Sequence, residues 1–358
     1  GAAVRFASLC SGIGGADLAL EAHGHHAAWH AELDPAPALV HALHWPDLPN
    51  LGDITDIDWA ACEPVDIITA GFPCQPFSAA GKRKGTTDDR HLWPHIRDAV
   101  VALRPRYLYV ENVVGIYTLG AAIVVHDLAQ IGYMSAWGSL GSSAVGGCHR
   151  RERFWLLATD ANSASCETLE RRQGSGDAGR FQLVERDRAV GVDLLPTPTA
   201  GDGTGGHRAT NLEWRGGTAY RPSGAKASVS LQEAVDLLTT PTVIQGRNAT
   251  SGRQEGAEFN TGTTLLDVAY ADDFGRYQPA VDRWARIFGP PPAPTDHKGR
   301  LNSPFVEWML GFPAGWVTDL DLSRSAELKA LGNAQQPQVA TAALSILGRR
   351  IDAKRNEP

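Results

Sequence analysis

Four short segments carry residue types and spacings suited to covalent chemistry on a ring. Gly71-Phe72-Pro73-Cys74-Gln75-Pro76-Phe77-Ser78 holds one cysteine between two prolines, directly after the apolar run 65–70. A structural cysteine is usually buried among apolar residues and inert; one restrained in a polar loop points to a nucleophile. Glu111-Asn112-Val113 ends a second apolar run, 107–110, and so brings a carboxyl to a strand end. Taken alone, such a carboxyl is as well read as a solvated cap. His149-Arg150-Arg151-Glu152-Arg153 precedes a third run, 154–158, and alternation in an extended chain sets Arg151 and Arg153 on one side. Ser11-Gly12-Ile13-Gly14-Gly15 lies between a β-rich run and a helix-like one, where a tight glycine turn lets backbone approach a nucleotide-like ligand. Glu32 ends the next run, where a carboxylate accepts the two hydroxyls of a ribose. A plain glycine turn beside an exposed Glu stays open as the other reading.

The elements that must position these residues follow from periodicity. Strands are expected at 4–9, 27–31, 65–70, 107–110, 135–140 and 154–158, with helices at 16–23, 35–43 and 96–103. Alternation at this spacing predicts an α/β domain with a largely parallel sheet. Parallel strands bring Cys74 and Glu111 to the same sheet edge. From about residue 160 the chain turns to Ser, Gly, Thr and Arg with poor helical periodicity. Leu194-Leu195-Pro196-Thr197-Pro198-Thr199 returns as Leu237-Leu238-Thr239-Thr240-Pro241-Thr242, each copy followed by a short amphipathic segment, at 230–235 and 264–269. Two copies are too few for a solenoid and read as paired loop-and-helix units of a second, irregular domain. The proline-rich stretch 290–294 reads as a stiff connector, with helices again at 305–311 and 338–350.

The 358 residues predict about two domains at roughly 100–200 residues each. Composition is globular, with 43% hydrophobic and 20% charged residues, which excludes a wholly disordered chain. No apolar stretch approaches the ~18–20 residues of a membrane helix. The start at Gly1, without a basic-then-apolar run, predicts a trimmed end and a cytoplasmic protein. Five scattered cysteines without a C-x-x-C pair argue against both a disulfide framework and a zinc site, and the twelve His show no metal spacing. The net charge of −7 speaks against a nucleic-acid partner until the chain is divided. Residues 1–150 carry 9 basic and 15 acidic side chains; residues 151–300 carry 18 and 19, and 16 of those 18 bases are Arg. The middle therefore holds the groups able to read grooves and phosphates.

In this order, the four segments resemble the DNA cytosine-5 methyltransferase family over the first ~160 and last ~55 residues. The resemblance implies S-adenosylmethionine as cofactor, bound by Ser11, Gly12, Ile13, Gly14, Gly15 and Glu32, with Asp53 and Ile54 of Gly52-Asp53-Ile54 at its adenine. Leu33, Gly71, Pro73 and Leu92 would border the same pocket. Gly332-Asn333-Ala334 is similar to the family's C-terminal Gly-Asn motif, so Asn333 and Ala334 would complete it. Asp89-Arg90-His91-Leu92-Trp93 is similar to the motif after the catalytic loop. By the same resemblance Cys74 is the nucleophile, Glu111 the acid, and Arg151 and Arg153 the arginine pair. The fold implied is a Rossmann-like doubly wound mixed sheet of seven strands, one antiparallel, with a smaller irregular target recognition domain. Residues 1–160 and 301–358 would form the catalytic domain and 161–300 the recognition domain. Three positions depart from the family pattern. His149 replaces a usual Gln and can still donate one hydrogen bond. Cys10 replaces a common Phe. Gln335-Gln336 replaces an apolar pair, which would polarise the pocket and leaves a derivative of S-adenosylmethionine open.

The residue types suit the implied reaction. Cytosine C5 is a poor nucleophile until a thiolate adds at C6, a covalent route that splits one hard step into easier ones. Protonation at N3 by a raised-pKa Glu111 assists that addition, and arginines at O2 steady developing charge. The target base must leave the stack, and 78–90, with Lys82, Arg83 and Lys84, is the segment expected to close over it. Gln75, Ser78, Lys82, Arg83, Arg208, Arg215 and Arg247 are the expected DNA contacts, with Arg221 and Arg253 as further candidates. Double-stranded DNA is thus the expected partner of a monomer without metal, with a cognate restriction endonuclease as a possible companion. Three other readings stand beside it: an RNA cytosine-5 methyltransferase on the same scaffold, a catalytically silent DNA-binding relative, and a cysteine hydrolase, which would need a His held near Cys74.

Overall fold

The computed structural model describes residues 3–73, 92–163, 194, 195, 197, 213–215, 218–220, 274 and 277–356. Six strands form one sheet: β1 (Arg5–Leu9), β2 (His26–Ala31), β3 (Ile67–Ala70), β4 (Tyr107–Val113), β5 (Tyr133–Leu140) and β6 (Arg153–Asp160), in the order β2-β1-β3-β4-β6-β5. β1, β2, β3 and β4 pair in parallel, and β6 runs antiparallel to both β4 and β5. The helices of the first half are α1 (Gly15–Ala22), α2 (Pro35–His44), α3 (Trp93–Leu103), α4 (Ile116–Leu119) and α5 (Ala121–Gln130).

The near-continuous apolar strands follow from cover on both faces. Phe6, Ile67, Tyr107 and Tyr109 share one cluster with Ala19 and Leu20 of α1. Val339, Ala343 and Leu347 of the C-terminal helix complete that cluster. Their neighbours Ala7, Ile68, Leu108 and Val110 pack on the other side with Ile96 and Val100 of α3 and Val124 and Leu128 of α5. Period-two alternation along the strands thus assigns each residue to one layer or the other.

Each sequence-expected element of the catalytic part has its counterpart, and the differences have physical causes. β4 runs through Glu111 to Val113, because β6 pairs with it to the end, Val113 opposite Arg153. Glu111 therefore sits inside a strand. Six strands stand where the resemblance implies seven. Among the described residues the seventh is reduced to a single parallel bridge between His30 and Asn50. There Asn50 Oδ1 accepts from both Glu32 N and Gly52 N (3.0 Å each), so a side chain takes the place of further ladder bonds. α5, a run of Ala, Ile and Val, was not expected as a helix; burial of Ala121, Val124 and Leu128 against the sheet decides it.

In the second half, β7 (Glu213–Arg215) and β8 (Thr218–Tyr220) form a separate antiparallel pair. The repeat segments 230–235 and 264–269 lie outside the described residues. Among the described residues four helices follow: α6 (Gln278–Phe288), α7 (Ser303–Met309), α8 (Arg324–Asn333) and α9 (Pro337–Arg355). α6 falls in the stretch that sequence assigns to the recognition region, yet Val281 and Trp284 share a cluster with Ile13, Val40, Phe305 and Leu331. Trp284 Nε1 also donates to the Trp308 carbonyl (2.9 Å). No helix among the described residues is long and apolar enough to cross a membrane.

Trp284→Ala should cost about 3–5 kcal/mol, the usual penalty for emptying a buried aromatic site. Chemical denaturation followed by near-ultraviolet circular dichroism checks this. The catalytic body should unfold earlier in one transition; an unmoved main transition would detach α6 from that core.

Candidate active site

In the strand order, the chain leaves β1 toward β2 on one side and toward β3 on the other. Ligands of open α/β sheets bind at such a reversal, outside the carboxyl ends of the strands. Two loops meet there: 10–14 after β1 and 71–73 after β3.

The first loop is built on left-handed backbone. Cys10, Gly12 and Gly14 have φ of 50°, 57° and 82°. At Gly14 the requirement is also spatial, since a Cβ would lie 2.4 Å from Cη2 of Trp45. Gly12 N donates to Glu32 Oε2 and Asp34 N to Glu32 Oε1, both at 2.8 Å. Ser11 Oγ donates to the Ser8 carbonyl (2.9 Å), and Trp316 Nε1 to the Ile13 carbonyl (2.8 Å). Burial raises the Glu32 carboxyl, and the amides of Asp34 and Gly12 oppose the rise. Burial and the carboxylates of Glu32 and Asp53 push the Cys10 thiol up to about 12. Glu32 accepts from Gly12 N, and Asn50 Oδ1 ties Glu32 N to Gly52 N, so Gly12, Glu32 and Gly52 lie side by side; a Cβ on Gly12 or Gly52 would meet nothing within 4 Å, so both open onto free space. Leu33 at its rim is 66% exposed. Ile54 and Ile13 instead place their side chains in hydrophobic clusters, so only their backbone can face a ligand.

On the second loop, the pairing of Ala70 with Val110 sets Gly71 beside Glu111. Asn112 Nδ2 donates to the Phe72 carbonyl (3.3 Å) and ties β4 to that loop. Glu111 Oε1 receives Arg153 Nε at 3.0 Å. Burial pushes the Glu111 carboxyl up, opposed chiefly by Arg153 and Arg151. Pro73 leads into Cys74, which lies outside the described residues with Gln75, Ser78, Lys82, Arg83, Asp89, Arg90, Arg208, Arg221, Arg247 and Arg253. Arg215 ends β7. Leu92 caps α3 and packs against the core under β3.

Arg151 takes a different place from Arg153. Its φ of 31° breaks the extended alternation just before β6. Its Nη2 donates to the carbonyls of Gly332 (3.0 Å) and Ala334 (2.5 Å). It thereby clamps the C-terminal Gly-Asn segment, where Ala334 is buried and Asn333 exposed. His149 is fully buried, and neither ring nitrogen has a hydrogen-bond partner among the described residues. Burial and the neighbouring Arg151 hold it down to about 3, which keeps it neutral.

Sequence reasoning missed three groups behind the first loop. Ser8 Oγ donates to Asp17 Oδ2 (3.1 Å), and burial pushes this carboxyl up to about 7. Glu307 accepts from Gly315 N (2.8 Å) and Val317 N (2.7 Å), which fixes the turn that carries Trp316. The Trp316 ring in turn stacks on His44, centroids 3.5 Å apart. No local pattern marks these residues: Trp316 meets Ile13 and His44 from the other end of the chain, and the partners of Asp17 and Glu307, 8 to 10 residues away, lie across turns outside any helix or strand period.

With this geometry, the sequence profile of the C-5 cytosine-specific DNA methylases matches residues 4–182, half of the chain. The chain belongs to that family. Among curated relatives, the type II methyltransferase M.HgiBI of Herpetosiphon aurantiacus is 34% identical over 161 residues, 43% of this chain and 36% of its own length. M.MspI of a Moraxella species is 31% identical over 160 residues, 43% of this chain and 38% of its own length. The match thus spans well under half of these relatives. The Dnmt2 methyltransferase structure from S. pombe superposes with a TM-score of 0.54 at 19% identity, over 98% of this chain and 99% of that one, and shows the same Rossmann-like methyltransferase fold. C-5 methylases use S-adenosylmethionine as methyl donor, and the open space beside Gly12 and Gly52, bordered by Glu32 and Asp53, fits such a group. No cluster of potential metal ligands occurs among the described residues.

Two outcomes are expected of this methylase site. Glu32→Ala should weaken S-adenosylmethionine binding on the order of ten- to a hundredfold, the worth of hydrogen bonds to a charged group; calorimetry would show it. Asp17 ionises in the unfolded chain near its ordinary 3.8 but in the fold only at about 7. The folded state therefore holds the extra proton between these values, and stability falls as pH rises from about 4 to 7. Asp17→Asn should flatten that slope in denaturation curves collected across the range.

Proposed function

We propose that this chain methylates C5 of cytosine in double-stranded DNA, within a short fixed sequence. The observation that carries the reading is the Glu111–Arg153 pair at the carboxyl edge of the sheet, one strand from the loop that enters Cys74. The Cys74 thiolate adds to C6 of a flipped cytosine, and Glu111 delivers its proton to N3, so that electron density accumulates at C5. S-adenosylmethionine, when bound, supplies the methyl group that C5 acquires. A base or water then takes the C5 proton, the Cys74 thiolate leaves C6, and N3 returns its proton to Glu111. Arg153 holds the Glu111 carboxyl, while Arg151 acts at one remove by seating Gly332 and Ala334.

The cofactor lies against Ser11–Gly15, Glu32 and Asp53, with Gly71, Pro73, Leu92 and Asn333 at its border. The recognition region is taken as about 161–273, since α6 packs with the catalytic core. Its arginines, Arg208, Arg215 and Arg247 among them, contact phosphates and guanine edges, and Gln75, Ser78, Lys82 and Arg83 contact the site of the flipped base. We place the monomer in the cytoplasm, where methylation would protect the same sites from a companion endonuclease.

The test is transfer of labelled methyl from S-adenosylmethionine to duplex DNA, mapped at base resolution. Wild type should label C5 in one short context. Cys74→Ala should lose transfer by at least about four orders of magnitude, as removal of a covalent nucleophile does, while still binding S-adenosylmethionine. Transfer to RNA but not DNA would replace the substrate, and methylation by the alanine variant would overturn the mechanism.

A further inference from the structure

Leu194, Leu195 and Thr197 belong to the first copy of the sequence repeat, yet they dock on the catalytic part. Leu195 forms a parallel bridge with His149, and its N–H donates to the Cys148 carbonyl (2.8 Å). Its side chain is buried in one cluster with Ile13 and Phe305. In the parallel register of that bridge, Thr197 falls beside Arg151, two residues further along each segment. Thr197 Oγ1 accepts from Arg151 N at 3.0 Å. The carbonyl of the same peptide, on Arg150, accepts from Ser142 N at 2.9 Å. It lies 2.6 Å from the point a Cβ on Gly141 would occupy, so glycine is what admits it there. The 150–151 peptide is therefore pinned at both ends, and the orientation of this peptide sets the φ of Arg151.

We propose that Thr197 is a positioning residue for the cofactor pocket: it holds Arg151 in the turn that clamps the returning chain. That the ligand of this pocket is S-adenosylmethionine rests on the methyltransferase reading. A φ of 31° is one that an L residue adopts only under constraint. Extended backbone would carry the Arg151 side chain to the side of Arg153. It would then leave the carbonyls of Gly332 and Ala334, to which its Nη2 donates. Arg151 is 3% exposed, so its N–H is screened from water and must find an acceptor in the protein. Thr197 is that acceptor. Arg283 of α6 fixes the preceding turn through the carbonyls of Gly146 (2.9 Å) and Gly147 (3.1 Å), but both bonds lie ahead of the 150–151 peptide. Docking of the first repeat copy and closure of segment 332–335 on the pocket are thus one event, joined by a single hydroxyl.

Two variants of the full chain test this: Thr197→Val, which keeps the shape and removes the oxygen, and Thr197→Ser, which keeps the oxygen. Calorimetry reads the affinity for S-adenosylmethionine, and hydrogen exchange of the ligand-free protein reads the amides of 332–336. In Thr197→Val the affinity should fall about three- to tenfold, the worth of one hydrogen bond. Those amides should exchange faster by a similar factor, and KM for S-adenosylmethionine should rise with them. Thr197→Ser should match wild type in all three. Unmoved exchange or unmoved affinity in the valine variant overturns the proposal. A serine variant as impaired as the valine one does so too, since the hydroxyl would then not be the agent. Faster exchange spread over the whole sheet would mark a general fold defect and likewise overturns it. If wild type binds no S-adenosylmethionine, the functional reading fails, while exchange at 332–336 still decides the role of Thr197.

Discussion

The site depends on one close approach: the segment 332–335 laid against the carboxyl ends of β1 and β3. It arrives more than 260 residues after β3, and nothing local holds it there. Gly15 and Gly71 provide the room, for a Cβ at either would overlap Gln335. Arg151 provides the hold through the carbonyls of Gly332 and Ala334. Once this segment is seated, α9 runs back along the sheet, where Val339, Ala343 and Leu347 bury Phe6, Ile67 and Tyr109. The same contact thus closes the core and completes the site.

Burial sets the electrostatics. Glu32, Glu111 and Asp17 are all pushed up by loss of water, yet each meets a different counterweight. Backbone amides hold Glu32, which suits a hydrogen-bond acceptor. Arg153 and Arg151 oppose the rise at Glu111, the acid of the proposed mechanism. Asp17 has the hydroxyl of Ser8 and a backbone amide to oppose the rise, with Glu21 adding to it, and stays neutral up to about pH 7. Three similar carboxyls, on a loop, a strand and a helix, are therefore chemically distinct because different partners surround them.

Much of the scaffold was legible in the sequence because the sheet is covered on both faces. That demand wrote β1, β3 and β4 as apolar runs, each ending at a loop of special residues. Helices were legible where a proline or a cap marks the start, as with Asp34 and Pro35 at α2. α5 was not, because its mixture of Ala, Ile and Val suits a strand as well as a helix. The alternation rule put Arg151 with Arg153, and a positive φ at Arg151 overrode it. Trp316 left no signal because its partners lie at the other end of the chain, and Glu307 and Asp17 left none because theirs lie across turns that no helix or strand period marks.

The sequence by itself determined the inventory: a cysteine between prolines, a glycine turn followed by an acidic strand end, a carboxyl and an arginine at the limits of two apolar runs. Residue type and local backbone preference decide such features, so they are readable one segment at a time. Only the tertiary structure decided which groups touch: that Arg153 rather than Arg151 pairs with Glu111, that Arg151 clamps the returning chain, and that Gln335 fits where Gly15 and Gly71 leave room. Those choices are made by burial and by donors competing for few acceptors, and both exist only once distant segments share one dry space.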